Sequence, residues 1–384
     1  MIPTSRAGPE REVEASRIRR VLIVRLSALG DCVHALPVVE ALRRWSGEVE
    51  VGWAIQEQGA AVVSAFGAVS RLHLYPRRGS VWQRLSRLAS LRRELRAQRY
   101  DVAIDLQGNS KSGLVMWLSG ARRNIGLPPG DRRELNRLLV PMAPSAPVRG
   151  GEAGGSGAPT THVVERTLAL LRPLGVPARP APRPSLRGDL PSGPMARGVV
   201  ICPGTTWPTK HWPRRHYAAL AAALAAGGRR VELFWGGEAE RRLAEQVRDE
   251  ARASTGLGAA GAAIELSPEL ELAQLPGYFA AASSVVGNDS GPLHLAAVLG
   301  RPAVALYGPT DPGRNGLFWS NTSSLTLLDA AAGELECRPC WSRRCARGDL
   351  ACLERLEVSA VLEALTRLER RGGQAGDEAD TSEA

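Results

Sequence analysis

The sequence predicts an α/β protein made of two successive halves, each a parallel sheet covered by helices on both faces. Three observations lead there. Short apolar runs rich in β-branched residues alternate with stretches of helical period, the alternation stops in a proline-rich segment and resumes beyond it, and polar loops follow the apolar runs. A length of 384 residues leaves room for two ordinary domains, and 44% apolar with 23% charged residues excludes disordered, collagen-like and coiled-coil classes for the chain as a whole.

Val21–Leu26 (VLIVRL) reads as the first strand, followed by the loop SALGD and a helix through CVHALPVVEALRRW. Glu48–Ile55, Arg71–Pro76 and Tyr100–Gly108 read as further strands, with a strongly basic amphipathic helix, SVWQRLSRLASLRRELRAQ, between the last two. The Gly/Pro/Ser/Ala stretch 143–160 buries too little apolar surface to order itself and is expected to be a mobile loop. HVVERTLALLRPLG resumes as helix and closes an N-terminal domain over 18–180. Residues 181–197 carry many prolines, each lacking a backbone donor, so a linker with no regular element is expected there. The second half repeats the logic over 198–355: GVVICPG, RRVELFWGG, the start of AIELSPEL, SSVVGN and PAVALYG read as strands separated by helices. A last helix is expected over 356–371 and a disordered tail over 372–384.

The net charge of +10 favours anionic partners. Only Lys111 and Lys210 among the 49 basic side chains are lysine, and both fall in motif-like segments. The N-terminus mixes charge signs without the apolar core of a signal peptide. The longest uncharged run, Leu272 to Asn288, is broken by Pro276 and Gly277 and is too short to span a bilayer; a cytoplasmic location is expected. Six cysteines are sparse for an extracellular disulfide framework. No basic-aromatic module of a nucleic-acid-binding type occurs, so nucleic acid is not an expected partner.

Ligands of open α/β sheets bind beyond the carboxyl ends of the strands, so the loops after strands carry the functional reading. Ser27-Ala28-Leu29-Gly30-Asp31 lacks the glycine spacing of a dinucleotide site, and no P-loop pattern occurs in the chain; hydride transfer and P-loop chemistry lose support. That loop does place a carboxylate, Asp31, at a helix start, either as a helix cap or facing the crevice. Pro203–Pro213 combines the hydroxyls of Thr205 and Thr206 with Lys210, which describes an anion site, while Trp207 and Trp212 suit packing. Gly287–His294 (GNDSGPLH) starts a helix whose free N–H groups attract a diphosphate, with Ser290 and Gly291 permitting close approach. His294, one turn on, is either a core histidine or part of that site.

Taken in order, RVLIVRLSALGDCVHALP, YDVAIDLQGNSKSG, GTTWPTKHWP and VVGNDSGPLHLAAVLGRPAVALYGPTDP resemble the family 9 glycosyltransferases, the ADP-heptose:lipopolysaccharide heptosyltransferases, over roughly residues 18 to 370. The resemblance implies the GT-B fold, two Rossmann-like domains facing a central cleft, with the last helix crossing back to the N-terminal domain. It implies Asp31 as general base, Lys210 on the donor diphosphate, Asp289, Ser290, Gly291 and His294 as the block that holds the donor, and Thr205 and Thr206 near the phosphates. Glu238 corresponds, less securely, to an acidic residue on the donor's ribose. Ser27, Gly30, Lys111, Arg122 and Arg123 fall to the acceptor side. The extension before Arg17 and the 143–160 insertion depart from the compact family pattern and bear on acceptor identity.

The implied reaction is inverting transfer of a heptose from ADP-heptose to an anionic, lipid-linked inner-core saccharide, with no cofactor required for catalysis. The arginines between Arg84 and Arg99 are either a solvated face or a seat on the acceptor or the inner membrane surface. Cys337, Cys340, Cys345 and Cys352, spaced C-x2-C-x4-C-x6-C, would suit a structural zinc, against reduced thiols or a disulfide. Rival readings are a GT-B enzyme using another nucleotide sugar or acceptor, and a non-catalytic nucleotide-sugar-binding protein; donor specificity discriminates them.

Overall fold

The computed structural model describes residues 18–380 apart from 134, 137–160, 178–180, 189–192, 256–260, 262, 320 and 327–334. The 143–160 insertion and the extension before Arg17 lie outside the described residues.

The first half runs β1 (Arg20–Val24), α1 (Leu29–Trp45), β2 (Glu50–Ile55), α2 (Glu57–Val63), β3 (Arg71–Leu74), α3 (Val81–Gln98), β4 (Val102–Asp105), α4 (Ser110–Ser119), β5 (Arg123–Gly126) and α5 (Val163–Ala169). Its five-stranded sheet has the order β3-β2-β1-β4-β5, every pair parallel. Helices cover both faces, so the central strand VLIV is wholly buried. Val24 stands opposite Ala54 on one side and Asp105 on the other, and that register releases the loops after β1, β2 and β4 side by side.

The second half runs β6 (Val199–Cys202), α6 (Arg214–Ala226), β7 (Val231–Leu233), α7 (Glu238–Thr255), β8 (Ile264–Leu266), α8 (Leu275–Ala280), β9 (Ser284–Asn288), α9 (Gly291–Val298), β10 (Ala303–Leu306), α10 (Pro312–Asn315), β11 (Thr322–Leu325), α11 (Ala351–Glu354) and α12 (Val358–Asp380). Its six strands are again parallel, in the order β11-β10-β9-β6-β7-β8. Cys202 pairs with Gly287, which brings the ends of β6 and β9 together.

One apolar core continues through both halves, from Val21, Val39 and Trp53 to Tyr278, Phe279, Leu293 and Tyr307. The two sheets are therefore joined by buried side chains, chiefly where α1 packs on α9 and where Leu272–Gln274 meets α2. Among the described residues no helix is long and apolar enough to cross a membrane.

The structure departs from expectation at the C-terminus. Among the described residues α12 packs chiefly against α6, β10 and β11 of its own half, because its apolar row, Val361, Ala364, Leu365 and Leu368, is buried in the second half's core. The Arg229–Glu369 ion pair (2.6 Å) holds it there. The helix also runs through Asp380, where a disordered tail was expected from 372. Within the proline-rich linker, Leu186 forms an isolated bridge with Phe66.

Candidate active site between the two sheets

The loops leaving both sheets enclose a cleft of about 690 Å³. Ser27, Gly30 and Lys111 line it from the first half, and Thr205, Thr206, Asp289, Ser290 and Gly291 from the second. Eight of the expected residues thus meet at one opening. The two walls touch where α1 and α9 begin. A Cβ on Gly30 would sit 3.1 Å from the His294 ring and 3.5 Å from the Gly291 Cα, and one on Gly291 would sit 3.4 Å from the Gly30 N. Larger residues at this contact would push the walls apart.

On the first wall, Asp31 is the third residue of α1, and its carboxylate accepts from the Ala28 N–H (3.2 Å) at the helix start. It thus helps to cap the helix from the third position, the N-cap itself being Ala28; it is 41% exposed and does not itself line the cleft, as its neighbours Gly30 and Cys32 do. Arg25 orients it: one guanidinium nitrogen lies 2.5 Å from Asp31 Oδ2, and another donates to the Leu106 carbonyl at the end of β4. The β4 end is itself pinned by buried Asp105, which accepts from the Gln107 and Gly108 N–H groups, Ser112 Oγ and Asn136 Nδ2.

On the second wall, Lys210 Nζ lies 2.5 Å from Asp289 Oδ2, which also accepts from Thr310 Oγ1 (2.9 Å). His294 Nε2 lies 3.4 Å from the other oxygen, Oδ1. Burial opposes ionisation of Asp289, yet hydrogen bonds and charge from His294 and Lys210 outweigh it and hold the carboxyl down at about 2. Asn288 fastens the two loops of the second wall, donating to the Pro203 carbonyl and accepting from the Trp212 N–H. Trp212 is core, as its composition suggested; Trp207 lies under Lys210 and Arg343, with ring distances of 4.8 and 5.0 Å.

Ser290 caps α9 through its backbone alone, and its buried Oγ finds no hydrogen-bond partner. A buried, unpaired hydroxyl at a helix start that lines a cleft is a site prepared for an acceptor-rich ligand. His294 stands as a core histidine next to the cleft and does not itself line it. It is buried, and its Nδ1 lies 3.1 Å from Nε2 of His34 on α1, while its other nitrogen faces Asp289.

Three expectations are corrected. Glu238 points to solvent, 67% exposed and facing Arg242; Glu240, two residues on, lines the cleft, accepts from the Gly236 N–H (2.8 Å) and packs against Gly204, where a Cβ would collide with it at 2.4 Å. The W-G-G-E-A-E segment offers two glutamates, and only the one at the third helical position can reach back to the strand end. Arg122 is 81% exposed beside Asp101, and Arg123 donates to the Pro173 carbonyl; neither reaches the cleft. The sequence reading passed over Gln56, Gln58 and Arg77, which line the first wall from the ends of β2 and β3.

The cysteines Cys337, Cys340, Cys345 and Cys352 are free thiols, and among the described residues no group of three His, Cys, Asp or Glu side chains converges as a metal ion requires. As placed they do not fit a zinc site. Burial pushes the Cys352 thiol up to about 11, with Arg338 opposing and the neighbouring cysteines adding to the rise.

The family model described as glycosyltransferase family 9 (heptosyltransferase) matches residues 88–350. Lipopolysaccharide heptosyltransferase 1 of Pseudomonas aeruginosa is 31% identical over 344 residues, covering 85% of this chain and 87% of that protein. The solved structure of E. coli heptosyltransferase WaaC with ADP is 26% identical with a TM-score of 0.68, covering 91% of this chain and 99% of that one. The same E. coli enzyme with ADP-2-deoxy-2-fluoro heptose gives a TM-score of 0.65 at 26% identity, over 90% and 99% of the two chains. The two parallel sheets described above are those of the GT-B fold.

Proposed function

Because the chain belongs to glycosyltransferase family 9, the heptosyltransferases, we propose that it moves a heptose from ADP-heptose to the inner core of lipopolysaccharide by direct displacement at the anomeric carbon. What supports the mechanism is one cleft with the α9 start on its second wall, the Asp31 carboxylate next to its lining residues Gly30 and Cys32, and Lys210 held against its lining residue Asp289. Asp31 takes the acceptor hydroxyl's proton as that oxygen bonds to the anomeric carbon. The bond from that carbon to the diphosphate breaks on the opposite face, which inverts the centre. ADP departs with the bonding pair, and its added negative charge is met by Lys210, the Thr205 and Thr206 hydroxyls and the α9 N-terminus with Ser290. Glu240, in place of Glu238, is positioned for the donor's ribose, and Ser27, Gly30, Lys111 and Arg77 face the acceptor.

The acceptor is a lipid-borne anionic saccharide, so the protein works at the cytoplasmic face of the inner membrane. The test is transfer to a purified heptose-deficient core acceptor with ADP-heptose, compared with UDP and GDP sugars. Turnover with ADP-heptose alone supports the reading, and equal turnover with another sugar nucleotide, or donor binding without transfer, overturns it. A structural zinc on the four thiols is a separate proposal, supported by the nearness of Cys337, Cys340 and Cys345 to Cys352. Stoichiometric metal in purified protein, lost with stability on chelation, supports it, and metal-free protein of unchanged stability refutes it.

A further inference from the structure

α3 outruns the domain that it packs on. Val81, Leu85, Leu88, Leu91 and Leu95 form one continuous apolar row at helical spacing. Leu91 and Leu95 are buried in the core beneath the helix and Leu88 packs against it, but all seven residues from Val81 to Arg87 are exposed. The row therefore continues past its partner: Val81 is 66% exposed, Leu85 52%, and Trp82 beside them 79%, with Leu74 at the end of β3 also 50% exposed. A local capping box holds this end helical, with Ser80 Oγ accepting from the Gln83 N–H and Gln83 Oε1 from the Ser80 N–H.

The charge around this apolar end has one sign. α3 carries Arg84, Arg87, Arg92, Arg93 and Arg96 against a single acidic residue, Glu94, and Arg77 and Arg78 precede it. Arg77 lines the cleft and donates to Gln58, so the exposed helix start lies four residues along the chain from the cleft wall.

We propose that the first two turns of α3 are a docking wedge for an anionic bilayer surface, with Val81, Trp82 and Leu85 entering the headgroup boundary and the flanking arginines meeting lipid phosphates. A tryptophan and aliphatic row ringed by cations matches an interface that is apolar within and negative at its surface, and solvent repays neither. The wedge holds the mouth of the cleft beside the membrane. That purpose, receiving a lipid-borne acceptor, rests on the proposed function; the docking rests on exposure and charge alone.

The test is flotation of the full chain with vesicles containing phosphatidylglycerol and with vesicles of phosphatidylcholine alone, with no donor or acceptor present. The wild type is expected to float with the first and not the second, and Trp82→Asp/Leu85→Asp to lower the bound fraction at least about tenfold. Trp82→Ser, a milder change, is expected to give a smaller loss. Both variants should keep wild-type turnover on a delipidated, water-soluble acceptor. Wild type that stays unbound, binds both vesicles equally, or floats unchanged after substitution overturns the wedge. So does a Trp82-dependent dimer in vesicle-free solution, which would give the patch to a second copy. Failure of heptose transfer with flotation intact sinks the functional reading and leaves the wedge standing.

Discussion

The Nε2 of His34 lies 3.1 Å from the Nδ1 of His294, and that contact joins the helix that carries Asp31 to the helix that Ser290 caps. One proton bridges His34 Nε2 and His294 Nδ1, and the other His294 nitrogen faces Asp289. His34→Ala leaves His294 without its hydrogen-bond partner in a buried site, at a cost of about 1–3 kcal/mol. The expected result is a kcat lowered roughly tenfold or more with donor KM nearly unchanged, and partial recovery in His34→Gln. Loss of thermal stability with full kcat in the folded variant would make the pair merely structural.

Acid should loosen the same contact. Burial, reinforced by His294, His162 and Arg25, holds the His34 pKa well below its ordinary 6.5. The unfolded chain therefore takes up the proton first, and stability that is complete above pH 6.5 is lost as the pH falls below it. Melting temperature measured from neutral pH down to about 5 should drop, and less steeply in His34→Gln.

Asp289 sets a lower window. Its carboxyl, ordinarily at 3.8, is held at about 2, so the ionised form stabilises the fold above about pH 4 and that contribution is lost as the pH falls through 2. The shift corresponds to about 2 kcal/mol. Lys210→Met removes one of the groups responsible while leaving the carboxylate buried. It should cost roughly 3–5 kcal/mol in denaturant unfolding and abolish the thermal shift given by ADP.

Asp31→Asn keeps the size of the side chain and removes its basicity. Turnover should fall by about 10²–10⁴-fold, with ADP-heptose affinity measured by calorimetry within about twofold of wild type. Full turnover would remove Asp31 from the base role.

Glu240→Gln and Glu238→Gln separate two neighbouring carboxylates. The first should raise donor KM roughly tenfold, the second by nothing measurable, because only Glu240 faces the cleft. The reverse ranking would restore Glu238 to the donor site.

Much of the fold was legible along the chain. Buried parallel strands announce themselves as unbroken β-branched runs, and VLIV, VAID, VVIC and AVAL all stand where those runs predict them. The strands that escaped notice are edges, RNIG in β5 and TSSL in β11, whose mixed polarity carries no period. The loops after strands also declared their chemistry, since Thr205, Thr206, Asp289, Ser290 and Gly291 do line one opening.

Local sequence determined the two sheets, the helix starts and the types of residue offered at the strand ends, because those depend on neighbours a few positions away. Tertiary structure alone decided which offers are used. Glu240 over Glu238, Arg77 over Arg122, the His34–His294 contact between residues 260 positions apart, and the side on which α12 packs all depend on how two cores fit together, and no one-dimensional pattern encodes that fit.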